Sequence, residues 1–285
     1  MGAPEHAVVE HPAYETPRPA TRLATVVLCD NPGEMTIEGT NGLVLRVPGS
    51  DRSVLVDPGP HDPRHQAALA AAGGEQVELV LVTHRHPDHT GGVDELHRVT
   101  GAPVRAPLAE HCRAGEPLTD GEVVHAAGLE LTVVATPGHT ADSVCVLVRQ
   151  AGEDADGGVW PLDSIVLGDT ILGHPSTVLD STDGDLGDYL GSLATLERLG
   201  AGVTGLPGHG PEVVDVAADA RRLAEHRRSR LEQVRAARAE LGPDATVRQL
   251  TAHIYTDLTP FLLRVAEQST AVAVRYLDRE AGSRP

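Results

Sequence analysis

Val77-Glu78-Leu79-Val80-Leu81-Val82-Thr83-His84-Arg85-His86-Pro87-Asp88-His89 decides the reading of this chain. Residues 77–82 are a short apolar run with the composition of a buried strand. Directly after it, three imidazoles and a carboxylate fall within the six positions 84–89. Metal sites need nitrogen and oxygen donors held close together on a rigid support. An ordinary loop has no use for that density of histidine, so a metalloenzyme is expected.

Outward from this stretch the same pattern recurs. Strands are expected over 22–29, 42–47, 53–56, 129–135, 144–148, 164–167 and 203–206, and helices over 64–72, 92–99 and 186–199. The strands 42–47 and 53–56, joined by Pro48-Gly49-Ser50-Asp51, read as a hairpin. Several strands end in a Gly/Pro turn that carries one metal-type side chain. These turns are Thr136-Pro137-Gly138-His139, Gly168-Asp169 and Pro207-Gly208-His209-Gly210. Ligands placed on strand ends converge when the strands share a sheet. Each of these three alone has a plainer reading: His209 and His139 as turn residues, Asp169 as a helix cap. Beside the 84–89 cluster each supplies a missing donor.

The expected donor set is therefore His84, His86, Asp88, His89, His139, Asp169 and His209. A natural partition assigns His84, His86 and His139 to one Zn²⁺ and Asp88, His89 and His209 to a second, with Asp169 bridging. Mn²⁺ or Fe²⁺ would tolerate the same donors. Two such ions about 3.5–4 Å apart share a hydroxide that is nucleophilic at neutral pH. Asp88 and His89 are the expected catalytic residues. Asp57, in Val56-Asp57-Pro58-Gly59, is expected either to orient a ligating histidine or its loop, or to be a plain turn aspartate. His174 and Tyr255 are candidates for substrate contact. His6, His11, His61, His65, His97, His111, His125, His226 and His253 read as surface or packing residues, and Cys29, Cys112 and Cys145 as buried structural thiols.

The chain has 285 residues, 40% of them hydrophobic and 2% aromatic, so its core must be built from Val, Leu and Ala. Every basic side chain is Arg, and the formal charge of −18 weighs against a general polyanion-binding surface. Three cysteines without paired spacing point to a reducing cytoplasm rather than a disulfide framework. No signal peptide is read in Met1–Pro19 and no segment is apolar enough for a membrane span. Composition divides the chain into an irregular lead-in (1–20), a catalytic domain (21–212) and a small Arg-, Ala- and Glu-rich helical module (213–285) with helices over 216–240, 246–255 and 260–279.

The motifs H-x-H-x-D-H, Thr136-Pro137-Gly138-His139-Thr140, Gly168-Asp169-Thr170 and Pro207-Gly208-His209-Gly210 resemble the metallo-β-lactamase superfamily. The resemblance implies an α+β fold: an αββα sandwich of two mixed sheets with helices outside and metals at one edge. Asn31-Pro32-Gly33-Glu34-Met35-Thr36, Gly39-Thr40-Asn41, Gly168 to His174 and Asp188 to Leu193 are similar to its β-lactamase-like protein 2 group. The tail, with His226 to Arg230 and Ile254-Tyr255, is similar to that group's winged-helix-like C-terminal domain. The chain ends soon after Glu280, so the strand-forming wing is expected to be shortened or lost. Members of the group are described as zinc hydrolases, the animal member as an endoribonuclease on single-stranded RNA, and related fungal proteins as polyketide-releasing thioesterases. Ser143 stands where glyoxalase II enzymes carry a His, and His86 separates the chain from the flavodiiron relatives.

Two enzymatic readings follow. One is a dinuclear zinc hydrolase whose bridging hydroxide attacks the carbonyl of a small ester, thioester or lactone. The alternative is a zinc endoribonuclease, with Arg221, Arg222, Arg227, Arg228 and Arg230 as a phosphate-contacting stripe. The plainer reading of that stripe is a solvated helix face paired with Glu225 and Glu232. A non-enzymatic scaffold is disfavoured by the complete donor set. An exported β-lactamase is disfavoured by the absence of a signal peptide. Oligomeric state is not legible in the sequence.

Overall fold

The computed structural model describes residues 13–174 and 176–282. Most of the expected lead-in, including His6 and His11, lies outside the described residues. In chain order the elements are β1 (Arg18–Pro19), β2 (Ala24–Leu28), β3 (Asn41–Leu45), β4 (Arg52–Val56), α1 (Pro63–Gly73), β5 (Gln76–Leu81), α2 (Pro87–Thr90), α3 (Val93–Thr100) and β6 (Val104–Arg105). They continue with β7 (Val123–Ala126), β8 (Leu129–Ala135), β9 (Val144–Gln150), β10 (Ser164–Gly168), α4 (Leu186–Leu199), β11 (Thr204–Pro207), α5 (Val216–Leu241), α6 (Val247–Ile254) and α7 (Pro260–Gly282).

Strands β2, β3, β4 and β10 are mostly apolar because both of their faces are buried. Leu43, Leu45, Val54, Val56, Leu79 and Leu81 point inward to an inter-sheet core that also holds Val144, Val146, Val148 and Val166. Their neighbours Val44, Leu55 and Val80 point outward, onto Leu69 of α1 and Leu96 of α3. On the opposite side Cys145, Ile165 and Leu167 point out onto Leu193 and Leu196 of α4 and Val216, Ala220 and Leu223 of α5. Four layers result: helices, sheet, sheet, helices.

The first sheet runs β1-β2-β3-β4-β5-β6 and the second β11-β10-β9-β8-β7. β3 and β4 pair antiparallel, as the hairpin reading requires, while β4–β5, β5–β6 and β10–β11 are parallel. Parallel pairs need helical crossovers, supplied by α1, by α2 with α3, and by α4. Asp62 starts α1 by accepting from the Arg64 amide (2.9 Å), and Asp185 starts α4 by accepting from the Gly187 and Asp188 amides. The crossovers leave β4, β5, β10 and β11 ending at one edge of the sandwich, where the metal-type side chains sit.

Some elements differ from expectation. Arg18 and Pro19, within the lead-in read as irregular, pair with β2. Strand β7 was not anticipated: Val123-Val124-His125-Ala126 is an edge strand whose short apolar face, Val124 and Ala126, packs half-buried against the inter-sheet core. The histidine cluster itself contains a one-turn helix, α2, which Pro87 opens at its first position.

The tail forms three helices at the expected places, and among the described residues no strand follows β11. Its helices join the sandwich: Leu231 and Val234 of α5 and Val272, Ala273 and Leu277 of α7 share one apolar cluster with α4 and β10. Among the described residues no helix is long and apolar enough to cross a membrane. Leu223→Ala, at a site 2% exposed in that shared cluster, is expected to cost about 2–5 kcal/mol. Denaturant unfolding should show one transition shifted as a whole. A tail transition moving alone would contradict the shared core.

Candidate metal centre

Five chain segments deliver side chains to the sandwich edge. Asp57 follows β4, residues 83–89 follow β5, His139 follows β8, Asp169 follows β10 and His209 follows β11. The structure brings all seven expected donors together in two adjoining groups: His84, His86, His139 and Asp169, and Asp88, His89 and His209. In the first, His84 Nε2 and His139 Nε2 each approach His86 Nδ1 to 3.0 Å. In the second, His209 Nε2 lies 3.1 Å from Asp88 Oδ2 and His89 Nε2 lies 3.7 Å from the same oxygen. Asp169 stands between the groups. Its Oδ1 is 3.4 Å from His89 Nε2, and its Oδ2 is 3.6 Å from His139 Nε2 and 3.5 Å from His209 Nε2.

The outer nitrogen of each histidine is tied down, which sets the tautomer and turns the other nitrogen inward. His139 Nδ1 donates to Val178 O (2.6 Å), His209 Nδ1 to Gly39 O (3.0 Å) and His86 Nε2 to Asp180 Oδ2 (2.9 Å). His89 Nδ1 donates to Asp57 Oδ2 (2.8 Å). Asp57 also accepts from the Thr83 amide and the Thr83 hydroxyl, both at 2.8 Å, and Thr83 Oγ1 lies 3.1 Å from His84 Nδ1. One carboxylate thus holds both a histidine of the cluster and the loop that carries it. Its backbone sits in the left-handed region, φ 52°, a conformation that Asp and Asn tolerate better than most residues.

Close approach is built in at Gly208. A Cβ there would lie 2.4 Å from Asp169 Oδ1 and 2.6 Å from His89 Cε1, so only glycine leaves room for both.

The electrostatics separate the two groups. Burial pushes His84 and His139 below the ordinary imidazole value. Burial opposes protonation of His89 and His209 too, but there the carboxylates win. Asp57 and Asp169 hold His89 well above its usual value, and Asp169 with Asp88 brings His209 up to about 10. Against burial, the charges of His209 and His89 hold Asp169 well below the carboxylate range, and the bond from His209 lowers Asp88. Protons here stand where a cation would. The donors fit a metal: His89 Nε2 and Asp169 Oδ1 are buried, face each other and have no hydrogen-bond partner. A cation between them supplies the missing interaction.

Metal ligation needs neutral imidazoles. Loading the metal-free protein at pH 7 is therefore expected to release about two protons, one each from His89 and His209. The release should diminish as pH rises through about 10, where His209 is already neutral. Calorimetry in buffers of different ionisation enthalpy reads this directly. A heat independent of buffer would contradict it.

The cluster is sealed except on one side. His84, His89 and His209 are buried, whereas the side chains of His86 and Asp88 are 26% and 27% exposed. A substrate must approach there. Beside this opening Arg85 is locked by Asp142, Asp180 and Asp183 at 2.6–3.1 Å. Asp180, lowered to about 2 against burial by the bond from His86 and by the Thr182 amide, was not anticipated. Neither were the Val178 carbonyl and the Thr177 hydroxyl that hold His139. Residues 176–180 carry no local motif that would have flagged them.

His174 and Tyr255 stand apart. His174 pairs with Glu38 (3.2 Å) and the Tyr255 ring lies under Arg230. Among the described residues no hydrogen bond or ion pair links either to the cluster. The arginine stripe is also rearranged. Arg221 pairs with Glu197 across to α4 and Arg222 with Asp219, not with Glu225 or Glu232. Glu232 pairs with Arg235, one turn on. Arg227 is buried and donates to the Thr177 carbonyl, so no continuous exposed stripe exists. Cys29 and Cys145 are buried, Cys112 half-buried, and all three are free.

Residues 35–152 match the model of the metallo-β-lactamase superfamily. The atrochrysone carboxyl ACP thioesterase of Aspergillus fumigatus is 30% identical over 241 residues, covering 82% of this chain and 70% of its own length. The β-lactamase-like protein 2 homolog of Caenorhabditis elegans is 30% identical over 253 residues, covering 85% and 79%. In fold, the chain superposes on a β-lactamase domain protein from Burkholderia ambifaria with a TM-score of 0.75 at 20% identity, over 95% of this chain and 90% of that one. Together with the αββα layering and the convergent His/Asp cluster, these likenesses establish that the chain belongs to the metallo-β-lactamase superfamily.

Proposed function

We propose that the chain is a dinuclear zinc-dependent hydrolase of acyl thioesters. His84, His86 and His139 would hold one ion, Asp88, His89 and His209 the other, and Asp169 both. The observation that carries this reading is the position of Asp169 between the two donor groups. Ions bound there would supply Lewis acidity, activating water and polarising the acyl carbonyl.

The chain's own residues do the rest. Asp57, Val178 O, Gly39 O and Asp180 hold four imidazoles with a nitrogen facing inward. Asp88, whose side chain is 27% exposed at the opening, would carry an ionised carboxylate able to accept a proton from an attacking water. A thiolate, with a parent thiol pKa of about 8.5, leaves without a proton donor. A phosphodiester or amide leaving group needs more help, and the charge of −18 repels a polyanion. The thioesterase among the relatives points the same way.

In the same reading residues 213–285 form a small winged-helix-like module that walls one side of the site, residues 21–212 form the catalytic unit, and the free cysteines suit a reducing cytoplasm.

The test compares zinc-loaded wild type with Asp88→Ala on acyl N-acetylcysteamine thioesters and on single-stranded RNA at physiological salt. Thiol release that is lost in the variant, with RNA intact, is the expected result. RNA cleavage lost in the variant, without thioester turnover, would replace this reading with the ribonuclease.

A further inference from the structure

We propose that the cavity between residues 176–179 and helices α5–α7 is a binding site for a small aromatic carboxylate. The site goes beyond the hydrolase reading, because none of the seven clustered donors lines it. Its volume is about 190 Å³. An apolar cavity of about 150 Å³ accommodates a benzene ring, so this one takes a single ring with a small substituent. The walls are apolar, with Val178 on one side and Leu258, Leu262 and Val265 on the other, and the ring of Tyr255 offers an aromatic surface.

The charge of the occupant follows from Arg227 and Arg230. Both line the cavity, and no Asp or Glu does. Arg227 is 7% exposed and its Nε is buried without a hydrogen-bond partner; its guanidinium donates to the Thr177 carbonyl and lies 5.4 Å from the centroid of the Tyr189 ring, and among the described residues no carboxylate pairs with it. Arg230 lies 5.0 Å over the Tyr255 ring and donates to the Gln233 side chain (2.7 Å). Other arginines of the same helix are matched to carboxylates: Arg221 with Glu197, Arg222 with Asp219 and Arg235 with Glu280. Arg228 on that helix also pairs with no carboxylate among the described residues, but it is exposed to solvent, whereas Arg227 is buried and Arg230 half-buried against one apolar cavity. A buried guanidinium without a counter-ion is costly, and a carboxylate matches its fork of donors. His226 at the rim is held below its ordinary value by burial and by Arg227, Arg230 and Arg222, in keeping with a positive local potential. An aromatic carboxylate satisfies both features at once: the ring fills the apolar walls and the carboxylate meets the arginines.

The experiment measures benzoate and benzylamine binding to the zinc-loaded full chain by calorimetry, in wild type, Arg230→Gln and Ala266→Phe. Ala266 is a buried lining residue of α7, so Phe there fills the space. Wild type should bind benzoate and bind benzylamine at least about tenfold more weakly, and Arg230→Gln should weaken benzoate about tenfold. Ala266→Phe should abolish binding with the zinc content unchanged. If Ala266→Phe misfolds, Arg230→Gln at a half-buried position decides alone. Benzoate bound equally by wild type and Arg230→Gln, or not bound by wild type, would overturn the proposal. So would benzylamine bound as well as benzoate. Neither result bears on thioester hydrolysis, which is read separately by thiol release.

Discussion

Asp169→Ala is expected to reduce the bound zinc from about two ions per chain to one or none, and thioester hydrolysis by more than about 100-fold. Among the clustered donors of the described residues, Asp169 is the carboxylate that approaches imidazoles of both groups. Its two oxygens face His89 on one side and His139 and His209 on the other. Alanine leaves a donor set divided into two incomplete halves. In the metal-free protein it also removes the anion that faces two raised imidazoles, His89 and His209. The variant should therefore lose stability as well as metal, and Asp169→Asn, which keeps the volume but also lacks the anion, should share both losses and differ only by the absence of a cavity. The asparagine variant should likewise fail to hold two ions. Two ions and full turnover in Asp169→Asn would remove Asp169 from the bridge.

The second large effect is expected at Asp57, which touches no ion in the proposed arrangement. Asp57→Asn should weaken zinc binding about 10–100-fold, the usual cost of losing a carboxylate behind a ligating histidine. Asparagine fits the left-handed backbone there and can still accept from Thr83. It has one acceptor oxygen instead of two, so the Thr83 amide, the Thr83 hydroxyl and His89 Nδ1–H cannot all be satisfied. If His89 responds by moving its proton to Nε2, the lone pair facing Asp169 is lost. The readout is zinc affinity by chelator competition together with turnover at saturating zinc. Affinity should fall while turnover at saturation largely recovers. A lower melting temperature with unchanged zinc affinity would reduce Asp57 to a structural turn residue.

Much of this was legible in sequence, for definite reasons. Stretches such as Leu79–Val82 and Val144–Val148 are buried on both faces, so their apolar runs are unbroken. Donors at 139, 169 and 209 each follow a strand through a Gly/Pro turn, and parallel crossovers bring such strand ends to one edge. What stayed hidden depends on contacts remote in sequence. The hold on His139 is a backbone carbonyl at Val178, which no residue type encodes. Arg227 sits in an Arg-rich helix that reads as solvated, yet α5 packs on α4 and turns this one side chain inward. Arg221 finds Glu197 on the neighbouring helix rather than Glu225 one turn away. Strand β7 offers only Val124 and Ala126 to the core and is fixed by its pairing with β8, a remote partner that so short an apolar pattern does not announce.

The most direct measurement titrates zinc into the metal-free protein while following thiol release from an acyl thioester. The account predicts that turnover climbs with the second equivalent and saturates at about two zinc per chain. Turnover complete at one equivalent, or none at any zinc level, would contradict the dinuclear thioesterase.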